Sequence, residues 1–313
     1  MHVKRFLILT AAVLAVVAAT TAPAGAGVSS SAVASAFCDD SAFDSLASLG
    51  STGTARGPVR EPVLRNNPVN SDIPGLAPKV PSNFSASVPV YFHVVHNGTT
   101  GNVSMTTISQ QMAAFNMAFA GFFGGSNAKI SFTLAAVDRT NNAAWFDAEP
   151  GSAEEFAMKA ALKRGDESAL NVYSTSGAQD ALLGWAYYPS ITVQQKASVL
   201  DGVVINWGSM PGGPFGTNFS LGHTLTHEAG HWLGLAHTFE GHCNGKGDGI
   251  GDTPPEFEPT SGCPVNKDTC PQPGLDPIHN YMDYSFDSCY EEFTPDQVGR
   301  MQQQWLHWRL KRA

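Results

Sequence analysis

From residue 88 onward, apolar positions recur with two periods, and the switches between them outline the elements. The run Val88 to Val95 (VPVYFHVV) is β-branched and aromatic, which predicts a strand. Thr106 to Phe123 follows with Ile108, Met112, Phe115, Phe119 and Phe122 at helical spacing, predicting a helix with one apolar face. Lys129 to Val137 (KISFTLAAV) alternates like a half-buried strand, and Glu154 to Arg164 reads as a short helix. Leu170 to Tyr173, Leu183 to Tyr188 and Gly202 to Ile205 read as further short strands. Near the end, Thr294 is a good N-cap with Pro295 at the first helical position. Val298, Met301, Trp305 and Trp308 then predict a closing helix whose aromatic face turns inward. Strands interleaved with helices and no internal repeat predict an α/β fold.

The N-terminal region reads differently. Lys4 and Arg5 precede an apolar run from Phe6 to Ala19 broken only by Thr10, and Ala24-Gly25-Ala26 supplies small residues for cleavage. This predicts a secretory signal peptide over residues 1–26, too short to span a bilayer, hence a secreted, extracellular product with no membrane association once the signal is removed. Residues 27–86 carry scattered prolines and few aromatics, as in a pro-segment or an N-terminal extension, which leaves 87–313 as the globular unit. Only 14% of the 313 residues are charged against 42% apolar, while Gly 31 and Pro 20 point to a loop-rich chain with a real core. The formal charge of -9 is the wrong sign for a nucleic-acid partner. Export favours disulfides. Cys243, Cys263, Cys270 and Cys289 cluster and allow three connectivities, while Cys38 stands apart as a free thiol, an intermolecular one, or a latency switch reaching a metal. Asn83, Asn97, Asn102 and Asn218 head N-glycosylation sequons. A monomer is expected.

Chemistry concentrates in THEAGHWLGLAHT, Thr226 to Thr238. His227 and His231 lie four apart, one helical turn above each other, so both imidazoles can reach one metal ion. His237 cannot share that face of a straight helix, so the chain must turn between them, and Gly234 can adopt the positive φ that ends a helix. Three imidazoles leave a fourth position open, the catalytic zinc arrangement, whereas structural sites take four protein ligands and usually include Cys. Glu228, about 100° round the helix from His227, is placed to act as general base without binding the metal. Chance assembly of this pattern from the chain's own composition is on the order of 10⁻⁵ to 10⁻⁴. His93, His96, His223, His242, His279 and His307 are assigned no ligand role.

This extended motif, with Asn280-Tyr281-Met282-Asp283-Tyr284 forty-five residues beyond His237, resembles that of the metzincin metallopeptidases. The DGVVI, GDGIGDTP and Gly262-Cys263-Pro264 stretches are similar to the pappalysin branch, which includes ulilysin and secreted fungal metalloproteinases. The resemblance spans most of Leu183 to Met301. It implies a twisted, mostly parallel five-stranded sheet with backing and active-site helices, an edge strand that binds extended substrate, and a loop-rich C-terminal subdomain holding the methionine turn and closing helix. It further implies Met282 beneath the zinc, Tyr284 as donor to the oxyanion or as a switchable ligand, disulfides Cys243–Cys270 and Cys263–Cys289, and a calcium loop around Asp248. The function so implied is zinc-dependent endopeptidase action on extracellular proteins, with polypeptides as partners. Two other readings remain: a catalytically silent, zinc-containing binding module, against which an intact Glu228 argues, and a zinc hydrolase of small amides.

Overall fold

A computed structural model describes residues 79–310, apart from 181, 190–191, 193–197 and 245–246. The signal peptide, nearly all of the 27–86 segment and Cys38 lie outside the described residues. Strand β1 (Ala86–His96) leads through helix α1 (Met105–Phe119) to β2 (Ile130–Asn141). Helix α2 (Ala153–Leu162) then leads to β3 (Leu170–Thr175), followed by β4 (Gly184–Ala186) and β5 (Val203–Asn206). The sheet order is β2-β1-β3-β5-β4; every neighbouring pair is parallel except β4–β5. Helix α3 (His223–Trp232) carries the histidine motif and α4 (Pro295–Gln304) closes the chain.

Because side chains alternate across a strand, each central strand feeds two cores. Val88, Val90, Phe92 and Val94 of β1, with Val203 and Ile205 of β5, pack on one face against α1 and α3. Tyr173 and Val204 turn to the opposite face, where they meet Met158 of α2, Trp185 and Tyr187. Phe115, Phe119 and Phe132 form the aromatic centre of the first core, with Phe115 and Phe132 stacked at 4.0 Å. Burying each such ring is worth about 1.5–3 kcal/mol. Among the described residues no helix is long and apolar enough to cross a membrane.

Two positions depart from the periodicity. Helix α1 stops at Phe119 and Gly121 turns the chain at φ 70, so Phe122 leaves the apolar face and is 69% exposed. At the C-terminus, the regular helix widens after Gln304, with the Leu310 N–H bonding the Trp305 carbonyl. This extra residue in the turn shifts the buried position from Trp308, which is half-buried, to Arg309. Trp305 remains in the core. Arg309 Nη1 donates to both oxygens of Asp201 at 2.8 Å, Nη2 donates to the Trp232 carbonyl at 3.0 Å, and the guanidinium lies 3.8 Å above the Trp232 ring. A cation thus caps the C-terminal end of α3, where the helix dipole favours it. Removing one member of a buried pair strands the other, which typically costs about 3–5 kcal/mol. Arg309→Ala should therefore lower unfolding free energy by several kcal/mol in denaturant titration, whereas Trp308→Ala should cost about 1 kcal/mol, near the average for a point substitution.

Candidate functional site

The local sequence of α3 explains how three imidazoles meet. Gly222, at φ 95, turns the chain into the helix, and Asp287 Oδ2 accepts the Leu221 N–H at 2.8 Å, so a carboxylate faces the helix N-terminus. At the other end Gly234 takes φ 85. The Gly234 N–H bonds the His231 carbonyl and the Leu235 N–H bonds the Gly230 carbonyl, both at 2.9 Å, a Schellman ending that reverses the chain. That reversal brings His237 back to the helix face. Its Nε2 and that of His227 each lie 3.1 Å from Nε2 of His231. These three nitrogens form the one cluster of three or more metal-binding groups among the described residues.

The far side of two rings fixes their tautomers. His227 Nδ1–H donates to the Tyr281 carbonyl at 2.5 Å, and His231 Nδ1–H donates to the Leu235 carbonyl at 2.7 Å. Each ring therefore offers an unprotonated Nε2 lone pair to the shared centre, which is what a divalent zinc ion requires. Three buried imidazole nitrogens converging this closely have no good reason to do so without a cation, so the residues present fit zinc. Met282 is fully buried beneath them, and its Sδ occupies the place a Cβ on Gly230 would take, 2.4 Å away. The Thr238 N–H donates to the Met282 carbonyl at 3.2 Å, tying the residue after His237 to the same turn. Asn280 and Gln297 exchange amide hydrogen bonds at 2.8 and 3.0 Å, fastening the turn to the capping box of α4.

Glu228 is 1% exposed and lines a cleft with Leu183, Phe219, His223, Tyr284 and Asp287 among its walls. The Tyr284 ring stands at the cleft side of the cluster, 5.0 Å from the His237 ring and 5.8 Å from that of His227. The C-terminal subdomain is pinned by Cys243–Cys270 and Cys263–Cys289. Inside it Glu256 accepts from Thr238, Thr260 and Lys267; burial and the nearby Asp283 push its carboxyl up to about 7.

Asp248 lies apart from the cluster. It is buried, accepts from the Thr253 hydroxyl at 2.8 Å and from the Ile250 N–H at 3.0 Å, and burial pushes its carboxyl up to about 7. The asparagines of all four sequons are exposed. Sequence reasoning did not find Asp287 or Gly184. Asp287 follows Met282 by five residues at no ligand spacing, and Gly184 matters only for the space it leaves. His223, one turn before His227, proves to line the cleft, and its ring packs 5.5 Å from Phe123.

The family model Peptidase_M43, described as pregnancy-associated plasma protein-A, matches residues 164–305. An extracellular metalloprotease of Neurospora crassa is 48% identical over 228 residues, covering 71% of this chain and 76% of that protein. One from Colletotrichum graminicola is 45% identical over 248 residues, covering 78% and 83%. Among solved structures, mature mirolysin of Tannerella forsythia in complex with a cleaved peptide is similar at a TM-score of 0.60 and 32% identity, covering 71% of this chain and 92% of that one. A promirolysin from the same organism gives 0.62 at 30% identity, covering 73% and 83%.

Proposed function

We propose, from the premise that this chain belongs to the pappalysin (M43) family of metzincin metallopeptidases, that His227, His231 and His237 hold the zinc of a secreted endopeptidase and Glu228 is its general base. The observation that carries the assignment of residues is the convergence of three Nε2 atoms, one of them on His227, which lines the same cleft as Glu228. Zinc held there supplies a Lewis acid that polarises the scissile carbonyl and lowers the pKa of water. Glu228 takes the proton from the attacking water and returns it to the departing amine. The Tyr284 hydroxyl donates to the oxyanion as charge develops. Strand β4, which is the edge of the sheet among the described residues and lies beside the cleft, takes an extended polypeptide as an added antiparallel strand. The silent binding module is disfavoured by an intact Glu228 and by relatives named as proteases. The chain from residue 27 toward β1 is a pro-segment with Cys38 as its thiolate ligand, although its expected boundary at 86 falls inside the fold, since Phe84 packs on the core and Ala86 already pairs with Ile130; the exposed sequons take glycans in a host that glycosylates exports.

The cleft suggests which side chain enters beside the scissile bond. Its lining carries two carboxylates, Glu228 and Asp287, and no Lys or Arg. Such a wall favours a cationic side chain, which Asp287 would meet while its Oδ2 still accepts the Leu221 N–H. The Asp248 loop is the remaining cation site proposed here. A buried carboxylate, the Thr253 hydroxyl and the Ile250 carbonyl stand within one turn, the hard oxygen donors that calcium prefers.

Three outcomes test these readings. In a casein digestion assay on processed protein, a chelator should abolish cleavage, and Glu228→Ala should lower kcat by about 10²–10⁴ while retaining zinc. Asp287→Asn should lower kcat/KM at least about tenfold, or 1.4 kcal/mol, for peptides with Lys or Arg beside the cleaved bond, and less for apolar ones. For Asp248, whose folded pKa is raised, the folded state holds the extra proton between about 4 and 7, so its contribution to stability is lost as pH rises through that window. Added calcium should raise Tm at pH 8 more than at pH 5, and Asp248→Asn should remove that difference.

A further inference from the structure

We propose that Gly184, the first residue of the edge strand, is a positioning residue for the Glu228 carboxylate, and that the absence of a side chain at 184 sets where the base stands. The proposal rests on the reading of Glu228 as general base and extends it to a residue outside the motif.

A Cβ built on Gly184 would lie 2.6 Å from Glu228 Oε1, 3.0 Å from Glu228 Cγ and 2.7 Å from the Val204 carbonyl oxygen. Gly184 does not have a positive φ, so the backbone alone does not demand glycine here. Space does. The two sides of that space differ in how far they can yield. Val204 belongs to the central part of the sheet, where it pairs with Trp185, and its carbonyl cannot move without breaking the β4–β5 ladder. The Glu228 carboxylate is the far end of a side chain with three rotatable bonds, so the contacts at 2.6 and 3.0 Å are relieved by moving it, whereas the 2.7 Å approach to the Val204 carbonyl is the same in every Glu228 background and drops out of a comparison between them.

The strand is also held from behind, so it yields less readily than the carboxylate. Trp185 Nε1 donates to Glu155 Oε1 at 2.8 Å, and the Tyr187 hydroxyl donates to Glu155 Oε2 at 2.7 Å. Glu155 is fully buried and paired with Lys159 at 2.8 Å, and Lys159 Nζ also donates to the Leu200 carbonyl at 2.9 Å. Alternate residues of this segment therefore hold it from behind, while Gly184 faces the base in front. The same strand that would pair with substrate thus fixes the height of the carboxylate relative to the peptide it receives. A displacement of about 1 Å at such a group is enough to cost ~10²-fold in rate.

The test is a double-mutant cycle between positions 184 and 228, read by kinetics and by melting temperature. Gly184→Ala should lower kcat by about 30-fold or more with KM changed less than about threefold. Glu228→Asp, one methylene shorter, should cost activity in the native background and cost little or regain activity alongside Gly184→Ala. Independently of activity, the fall in Tm caused by Gly184→Ala should be smaller in a Glu228→Ala background, where the carboxylate is gone. Should Gly184→Ala alone not fold, recovery of folded protein with Glu228→Ala supports the proposal and failure to recover overturns it. Additive losses in kcat, or equal falls in Tm in both backgrounds, also overturn it. Full activity of Glu228→Ala alone would instead overturn the assignment of the base, and the thermal coupling between 184 and 228 would still be readable.

Discussion

The site depends on two hydrogen bonds that point away from it. His227 and His231 each spend their Nδ1–H on a backbone carbonyl, of Tyr281 and Leu235, and so turn an unprotonated Nε2 toward the common centre. Without those carbonyls either ring could flip or change tautomer, and the ligand set would have to be organised anew each time a metal arrived. The two acceptors come from different places. Leu235 belongs to the reversal after α3, made possible by Gly234, and Tyr281 belongs to the turn containing Met282. The orientation of one ring therefore depends on local chain geometry, and that of the other on the docking of a segment more than fifty residues downstream.

Much of the remaining polar architecture keeps that docking in place. Asn280 and Gln297 lock the methionine turn to α4, Glu256 ties Thr238 to the loop held by Lys267, and Arg309 closes the far end of α3 onto Asp201. Each ties together segments that are separate in sequence. Buried polar groups of this kind contribute little net stability when satisfied and cost much when one partner is lost, so they select one arrangement more than they strengthen it. The paired Glu155 and Lys159 do the same for the edge strand from the opposite side of the sheet.

The sequence reveals the parts of this design governed by period and spacing. The i,i+4 relation of His227 and His231, the Gly234 turn and the alternation of β1 and β2 are local, and the structure follows them. Phe122 and Trp308 escaped because periodicity says nothing about where a helix stops or widens: Gly121 ends α1 early, and the broadened last turn puts Arg309 inside. A buried Arg could not be read from spacing, since its partner Asp201 lies 108 residues away. Asp287 and Gly184 were illegible for a related reason. One acts by facing a cleft built from three separate segments, and the other by what it lacks.

The shortness of β4 has a consequence of its own. An unpaired sheet margin is a standing invitation to any extended chain, including another molecule of the same protein, and long flat margins are where proteins begin to polymerise. Here the edge strand is three residues long, begins at a glycine and is buried along its length. Two copies meeting along it could exchange few backbone bonds, too few to hold them together, whereas a chain that also places a side chain in the neighbouring cleft gains a second hold. A margin this short limits what backbone pairing alone can hold, so any lasting partner must be gripped by side chains as well.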